Sequence, residues 1–503
     1  MPVLKGKELR VVGFLCNWCS YGGADTAGVG RFSQPTDLRI IRVPCSGRVD
    51  PMFVVKALLG GADGVLVSGC HPRDCHYSQG NFYARRRLET LKTFLPALGI
   101  DPDRFQYTWV SASEGQRWKN VVSSFVEKVH QLGHAPRIEE AAPYLPLAEK
   151  GDTPRAPLRP PLRPLSYPAA GTLAASLEQL REKIRAALPE LDCVIGWQQG
   201  FDALHATPLF MRKPEDVDKL TWGPLNVHNL ATYLPQFKNR KVGVVVKGCD
   251  SRSVIELLQE KLVEPDNVRV FGMACEGVVD MTRVQKTLDA GNADGAMCAD
   301  TAPSSVGVEG DNLSIEGEAP ARLRLADVVA EKCRTCDTPV PLLGDVVEGN
   351  ASAPAGPAPD APPSPPSLDA LDSMTPEQRR GFWRAQMDRC LRCYACRNAC
   401  PMCVCRDHCI AESRDPHWTT QEGNIREKLQ FQVIHALHLA GRCTECGECQ
   451  RACPVNIPVL ALKQWMNRSV RTLFDYRAGV DVNAVPPLLA FAVEEKNIKE
   501  HGL

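Results

Sequence analysis

Two short cysteine runs constrain this chain more than any other feature. Cys390, Cys393, Cys396 and Cys400, followed by Pro401, read C-x2-C-x2-C-x3-C-P, and Cys443, Cys446, Cys449 and Cys453, followed by Pro454, repeat that spacing. Three thiolates in one tight loop can bind three irons of a cubane, while the fourth, about one helical turn further on, points to the other cluster. The spacing predicts a ferredoxin module with two 4Fe-4S clusters in crossed ligation. Cys390, Cys393, Cys396 and Cys453 would hold one, and Cys443, Cys446, Cys449 and Cys400 the other. Zinc ribbons also use C-x2-C pairs, but as two pairs separated by a hairpin rather than four cysteines within eleven residues. Cys403, Cys405 and Cys409 lie between the motifs; they either ligate another cluster or are buried small apolar residues.

The chain carries 22 cysteines in 503 residues, in groups rather than scattered. A reducing compartment does not leave so many idle thiols, so metal clusters explain them better than disulfides. The start, MPVLKGKELRVVGFLC, has no apolar signal region, and no run of about 18 apolar residues occurs later, so a soluble cytoplasmic protein with no transmembrane segment is expected. Lys plus Arg balances Asp plus Glu at 59 each, which favours no nucleic-acid partner.

A chain of this length needs more than one core. Two proline-rich stretches divide it: residues 136–185, which include APLRPPLRPLSYP, and residues 351–373, which begin ASAPAGPAPDAPPSPPS. Residues 1–135 alternate apolar runs (LRVVGFL, LRIIRVP, GVLVSG, FQYTWVS) with helical patterns, and residues 186–350 do the same with CVIGW, KVGVVVKG and VRVFGMA. The fold class expected is two small parallel-sheet α/β domains followed by a mainly helical ferredoxin-type domain over 374–470 and a tail over 471–503. The helical spacing of IPVLALKQWMNRSVRTLF marks a packing or docking helix.

Cys16 and Cys19 follow the first strand, Cys45 the second, and Cys70 and Cys75 the third. The C-terminal edge of a parallel sheet is where ligands bind, and helix N-termini there favour thiolate. Five thiols in one crevice suit an iron-sulfur cluster better than five separate packing residues or a lone redox dithiol. The segments GFLCNWCSYGGAD, VPCSGRVDP, GVLVSGCHPRDCHYSQGN and WVSASEG resemble the delta subunit of methyl-viologen-reducing hydrogenase, over residues 9 to 133. That resemblance implies one 2Fe-2S cluster held by four of these five cysteines. It also implies electron passage between a hydrogenase or dehydrogenase and the flavin subunit of heterodisulfide reductase.

In the middle region Cys249 and Cys275 follow strands, with Asp250 or Ser251 expected as a helix N-cap, and Cys333 and Cys336 form a C-x2-C pair. Together they suit a third 4Fe-4S cluster on widely separated ligands. Cys193 and Cys298 read as packing residues. GWQQGFDALHATPLF, KGCDSR, CEGVVD and CLRCYACRNACP resemble beta subunits of formate dehydrogenases and of deazaflavin-coenzyme-dependent hydrogenases, over residues 190 to 455. Some of that group bind FAD, but no G-x-G-x-x-G or other phosphate-cradling loop occurs here, which leaves FAD doubtful. No H-E-x-x-H, G-x-S-x-G or P-loop is present, and His71, His76 and His408 sit beside cysteines as supporting or surface residues.

The expected role is therefore an electron conduit between a dehydrogenase or hydrogenase and a flavin-containing heterodisulfide-reductase-like partner. Its rivals are a flavin-dependent oxidoreductase component exchanging hydride with a nicotinamide or deazaflavin coenzyme, and a zinc-bound scaffold.

Overall fold

The computed structural model describes residues 9–141, 167–168, 170–291, 303–317, 320–334, 336–347, 368, 371–405, 408–412 and 419–498. Four strands open the chain: β1 Val11–Cys16, β2 Leu38–Val43, β3 Gly64–Gly69 and β4 Phe105–Trp109. All pair in parallel, in the order β2-β1-β3-β4. Helices α1 Ser20–Val29, α2 Pro51–Leu59, α3 Gly80–Phe94 and α4 Gly115–Leu132 connect and cover them. Every residue of β3 is buried, the continuous apolar run of a strand covered on both faces. α2 starts where Asp50 accepts a hydrogen bond from the Met52 N–H (2.8 Å) and Pro51 takes the first helical position.

The strand order has a consequence for chemistry. The chain leaves β1 toward β2 on one side and β3 toward β4 on the other, so a crevice opens beyond the C-terminal ends of β1 and β3.

The middle domain is built on β5 Cys193–Gln199, β6 Ala206–Met211, β7 Val242–Val246, β8 Val268–Met273 and β12 Asp345–Val347, in the order β12-β8-β7-β5-β6. Only β6 runs antiparallel, on the edge beside β5. Helices α5 Ala170–Ala187, α6 Gly248–Gln259 and α7 Met281–Gly291 and the short α8 Leu325–Val328 and α9 Glu331–Arg334 complete it. A separate antiparallel sheet, β9 Ser305–Glu309, β10 Asn312–Glu316 and β11 Ala321–Arg324, has no counterpart in the sequence expectation. Its strands carry only two or three apolar residues each, too few to stand out as a pattern. α5 occupies the end of the first proline-rich stretch, and its Leu180 and Ile184 enter the middle-domain core. Residues 142–166 and 351–367 of the two expected linkers lie outside the described residues.

The C-terminal module contains α10 Pro376–Arg389, α11 Ala395–Asn398, α12 Ile425–His438, α13 Glu448–Arg451 and α14 Val459–Phe474. Its apolar residues form one core with the N-terminal domain, in which Leu58, Phe94 and Leu95 meet Trp383, Leu429 and Trp465. The tail clasps both α/β domains: Ala492 O accepts from Arg85 (2.7 Å) and Ala478 O from Arg252 (2.9 Å). No helix among the described residues is long and apolar enough to cross a membrane.

Candidate metal centres

In the N-terminal crevice Cys16 closes β1, Cys19 caps α1, Cys45 caps the turn Ser46–Arg48, Cys70 follows β3 and Cys75 precedes α3. The thiols converge: Cys16 and Cys70 Sγ lie 3.6 Å apart, Cys45 and Cys75 Sγ 3.7 Å apart, and Cys16, Cys19 and Cys70 could hold one metal ion. Backbone amides already favour negative sulfur, with Ser20 N–H donating to Cys16 Sγ (3.4 Å) and Gly47 N–H to Cys45 Sγ (3.3 Å). The hydrogen bond shared by Cys16 and Cys70 lowers the pKa of Cys16 against the pull of burial, and the same contact raises that of Cys70. Burial pushes Cys45 up to about 11.

Gly80 lets the thiols pack close to the start of α3. A Cβ on Gly80 would sit 2.5 Å from Cys45 Sγ and 3.4 Å from Cys75 Sγ. Asn81 holds the loop by donating to the carbonyls of Cys70 (3.1 Å) and His71 (2.6 Å). His71 Nε2 meets Glu114 at 2.6 Å, and although burial opposes it, the Ser111 N–H and His71 hold that carboxyl below the usual range. At the mouth Trp18 stacks on His76 (4.0 Å) and reaches Tyr77 OH; Trp18 and Tyr77 are exposed. Gly80, Asn81 and Glu114 carry no cysteine-like signal of their own in the sequence, although all three lie within the quoted family segments.

In the middle domain one pocket is lined by Cys249, Cys275, Cys333 and Cys336 together with Lys247 and Lys332. Cys249 lies inside the first turn of α6, not before it, and the N-cap is Lys247; Asp250 is its capping partner at the third position, accepting from Lys247 N–H (3.3 Å). The expected cap at Asp250 or Ser251 is thus displaced to Lys247, and Gly248 in the first turn passes Thr338 O so closely that a Cβ there would lie 1.7 Å from it. Burial pushes the Cys275 thiol up to about 12 and raises that of Cys249 well above the ordinary value. Such thiols stay protonated unless a metal displaces the proton. Lys332 Nζ leaves this pocket to donate to Cys446 O (2.5 Å), so one side chain touches two cysteine groups.

In the ferredoxin module both motifs bend through left-handed residues at matching positions. These are Arg392 and Tyr394 (φ 51° and 61°) in the first, and Glu445 and Gly447 (φ 60° and 74°) in the second. Cys390 Sγ accepts from Arg392 N–H (3.4 Å) and Cys453 Sγ from Ile457 N–H (3.3 Å). Cys453 is among the charges acting on Cys390 and Cys396, and Cys400 among those acting on Cys443, Cys446 and Cys449, with Cys396 also acting on Cys449. Cys393 is exposed at the rim.

Cys403 and a ring nitrogen of His435 lie within 4.8 Å of Cys400 Sγ. Cys409 bonds Arg397, and the carbonyl of exposed Cys405 accepts from the same guanidinium. Two groups here are orphans: Lys463 Nζ and both His435 nitrogens are buried without hydrogen-bond partners. An unpartnered buried ammonium is the feature that an anionic cluster would satisfy. Sequence reasoning misses Lys332 and Lys463, since a lone lysine in a helix carries no signal. Cys193 is a buried strand residue, Cys298 lies outside the described residues, and none of the 21 described cysteines, Cys193 included, is in a disulfide.

Comparison with known proteins matches three stretches of the chain. Residues 11–133 match the family described as methyl-viologen-reducing hydrogenase, delta subunit. Residues 239–361 match the C terminus of the coenzyme F420 hydrogenase/dehydrogenase beta subunit family, and residues 386–457 the 4Fe-4S dicluster domain. The chain is 51% identical over 126 residues to the D protein of the vhc F420-non-reducing hydrogenase of Methanococcus voltae, an iron-sulfur subunit, covering 25% of this chain and 88% of that protein. The corresponding D protein of Archaeoglobus profundus is 48% identical over 126 residues, 25% of this chain and 92% of that protein. The A component of the ferredoxin:CoB-CoM heterodisulfide reductase of Methanosarcina mazei is 50% identical over 123 residues, 24% of this chain and only 16% of that protein.

Proposed function

We propose that this chain, which belongs through its N-terminal domain to the methyl-viologen-reducing hydrogenase delta subunit family, relays electrons between a dehydrogenase or hydrogenase and a heterodisulfide-reductase-like flavin subunit. The observation that carries the reading is one domain in two settings. Its relatives include a hydrogenase iron-sulfur protein matched over nearly its full length, and one segment of a much longer heterodisulfide reductase component. Here that domain shares a hydrophobic core with a dicluster module.

The residues divide the work. Cys390, Cys393, Cys396 and Cys453 would hold one 4Fe-4S cluster, and Cys443, Cys446, Cys449 and Cys400 the other. Four of Cys16, Cys19, Cys45, Cys70 and Cys75 would hold a 2Fe-2S cluster, and Cys249, Cys275, Cys333 and Cys336 a third 4Fe-4S cluster. One-electron storage is what such groups supply when bound. The chain positions them, keeps water out with its apolar shell, and links the middle pocket to Cys446 through Lys332. The exposed aromatic group of Trp18, His76 and Tyr77 beside the N-terminal thiols offers a partner a docking point. On this reading the chain works in the reducing cytoplasm, where its cysteines stay available as ligands.

The test is iron, labile sulfide, zinc and flavin per chain in anaerobically purified protein. About 14 iron per chain is the expected result, and about 10 would remove the middle cluster only. Zinc without sulfide overturns the relay, and stoichiometric flavin would favour hydride exchange by the chain itself.

A further inference from the structure

Lys463 lies on α14 with its side chain 1% exposed, and its Nζ has no hydrogen-bond partner. Helix α13, which carries Cys449, packs on α14 beside the cysteine-free α12, and α11, which carries Cys396, packs on α13, so Lys463 sits on the helix that supports the two cysteine motifs. Burial works to lower its pKa, yet the thiols of Cys449, Cys396, Cys443 and Cys400 more than offset that and hold it above the ordinary lysine value. One of these four belongs to the first crossed set and three to the second. A cation buried without a partner is a net cost to the fold unless an anion lies beside it.

We propose that Lys463 is the internal counter-charge of the ferredoxin module. It favours the reduced state of the cluster on Cys400, Cys443, Cys446 and Cys449 more than that of the cluster on Cys390, Cys393, Cys396 and Cys453. A fixed positive charge stabilises an added electron in proportion to its proximity and to the dryness of the site. Lys332 acts on the same side, since its Nζ contacts Cys446 O. Lys428, which faces Cys390, is only partly buried and so is better screened by water. Lys463 acts through the cluster and is therefore a positioning residue. The inference rests on the relay reading above.

The experiment compares the full chain, purified anaerobically, with Lys463→Met and Lys463→Arg variants, each assayed for iron and sulfide and titrated redox-potentiometrically by EPR. The expected result is full iron in all three, with one 4Fe-4S midpoint of Lys463→Met lowered by about 59 mV or more. That is a tenfold change in the one-electron equilibrium. The other 4Fe-4S midpoints shift less in Lys463→Met, and Lys463→Arg returns the lowered one toward the native value. Native midpoints in Lys463→Met at full iron, or equal shifts of all the 4Fe-4S midpoints, overturn the inference and leave the relay standing. Absence of 4Fe-4S signals from the native chain overturns the relay instead. Should Lys463→Met fail to retain iron, pulsed EPR of the reduced native chain labelled with 15N-lysine gives an independent reading. A 15N coupling that loses one component in Lys463→Arg and keeps any due to Lys332 is expected, and a coupling unchanged in Lys463→Arg overturns the inference.

Discussion

Against the N-terminal domain the ferredoxin module buries carbon, whereas against the middle domain it pairs charges, hydroxyls and carbonyls around a smaller apolar patch. On the first side Trp383, Met387, Leu429 and Trp465 join Leu58, Phe94 and Leu95 in one core. Trp383 Nε1 donates to Ala97 O (2.8 Å) and Trp465 Nε1 to Thr93 O (3.2 Å). On the second side Arg442 pairs with Glu260, Arg477 with Asp337, Ser253 Oγ with Thr444 Oγ1 (2.9 Å) and Lys332 with Cys446 O, beside an apolar contact of Met402 and Leu439. Apolar burial has no titration curve and little response to moderate salt, while buried charge follows pH. One module is thus fixed to one neighbour and held to the other by groups that protons can reach.

The largest effect should come from the apolar seam. Trp383→Ala removes a fully buried indole and leaves the Ala97 carbonyl without its donor, so the chain should lose about 3–5 kcal/mol in urea unfolding. The N-terminal domain should release its iron at lower urea than the native chain does. A loss under about 1 kcal/mol would mean that the two domains do not share a core.

The polar seam should answer to pH. Burial first, and the neighbouring Glu260 second, raise the Glu256 carboxyl to about 8, with Arg442 opposing. The folded form then keeps a proton that the unfolded chain has lost above its ordinary carboxyl range. Stability from this group is fully present below about pH 4.5, falls as pH rises toward about 8, and is level beyond it. Glu256→Gln should remove that slope, a gain over the native chain on the order of 3 kcal/mol at pH 8 and near zero at pH 4.5. Parallel pH profiles for the two proteins would show that Glu256 is not buried as a neutral acid.

Much of this arrangement is legible in the sequence because its signals are local. The two C-x2-C-x2-C-x3-C-P loops state their own geometry, and the continuous apolar runs that form β1, β3, β7 and β8 are what a covered parallel strand requires. The scattered Cys16, Cys45 and Cys70 can be gathered on paper because each ends a strand of one parallel sheet, and topology does the rest. What escapes depends on packing between elements. Lys463 is an ordinary helical lysine until α12 and α13 close over it, and Lys332 gains meaning only when the middle pocket meets Cys446. The N-cap at Lys247 is misplaced by sequence reasoning because lysine is not a usual capping residue, and its pairing with Asp250 (2.8 Å) shows only in the fold.

The smallest effect tests whether any charge matters at the apolar seam. Trp465 has Arg468 over one part of its ring (4.3 Å) and Arg379 over another (5.3 Å), and Arg468 also pairs with Asp372 at 2.5 Å. Both members of that pair are more than a third exposed, so water and salt screen it. Asp372→Asn should therefore cost no more than about 0.5–1 kcal/mol, and the cost should vanish at high salt, because the guanidinium keeps its contact with the indole. Arg468→Ala should cost more than Asp372→Asn by whatever the ring contact contributes, and that difference should persist in salt. Equal losses for the two variants would place the value of Arg468 in its ion pair, and the N-terminal seam would then share the electrostatic character of the middle one.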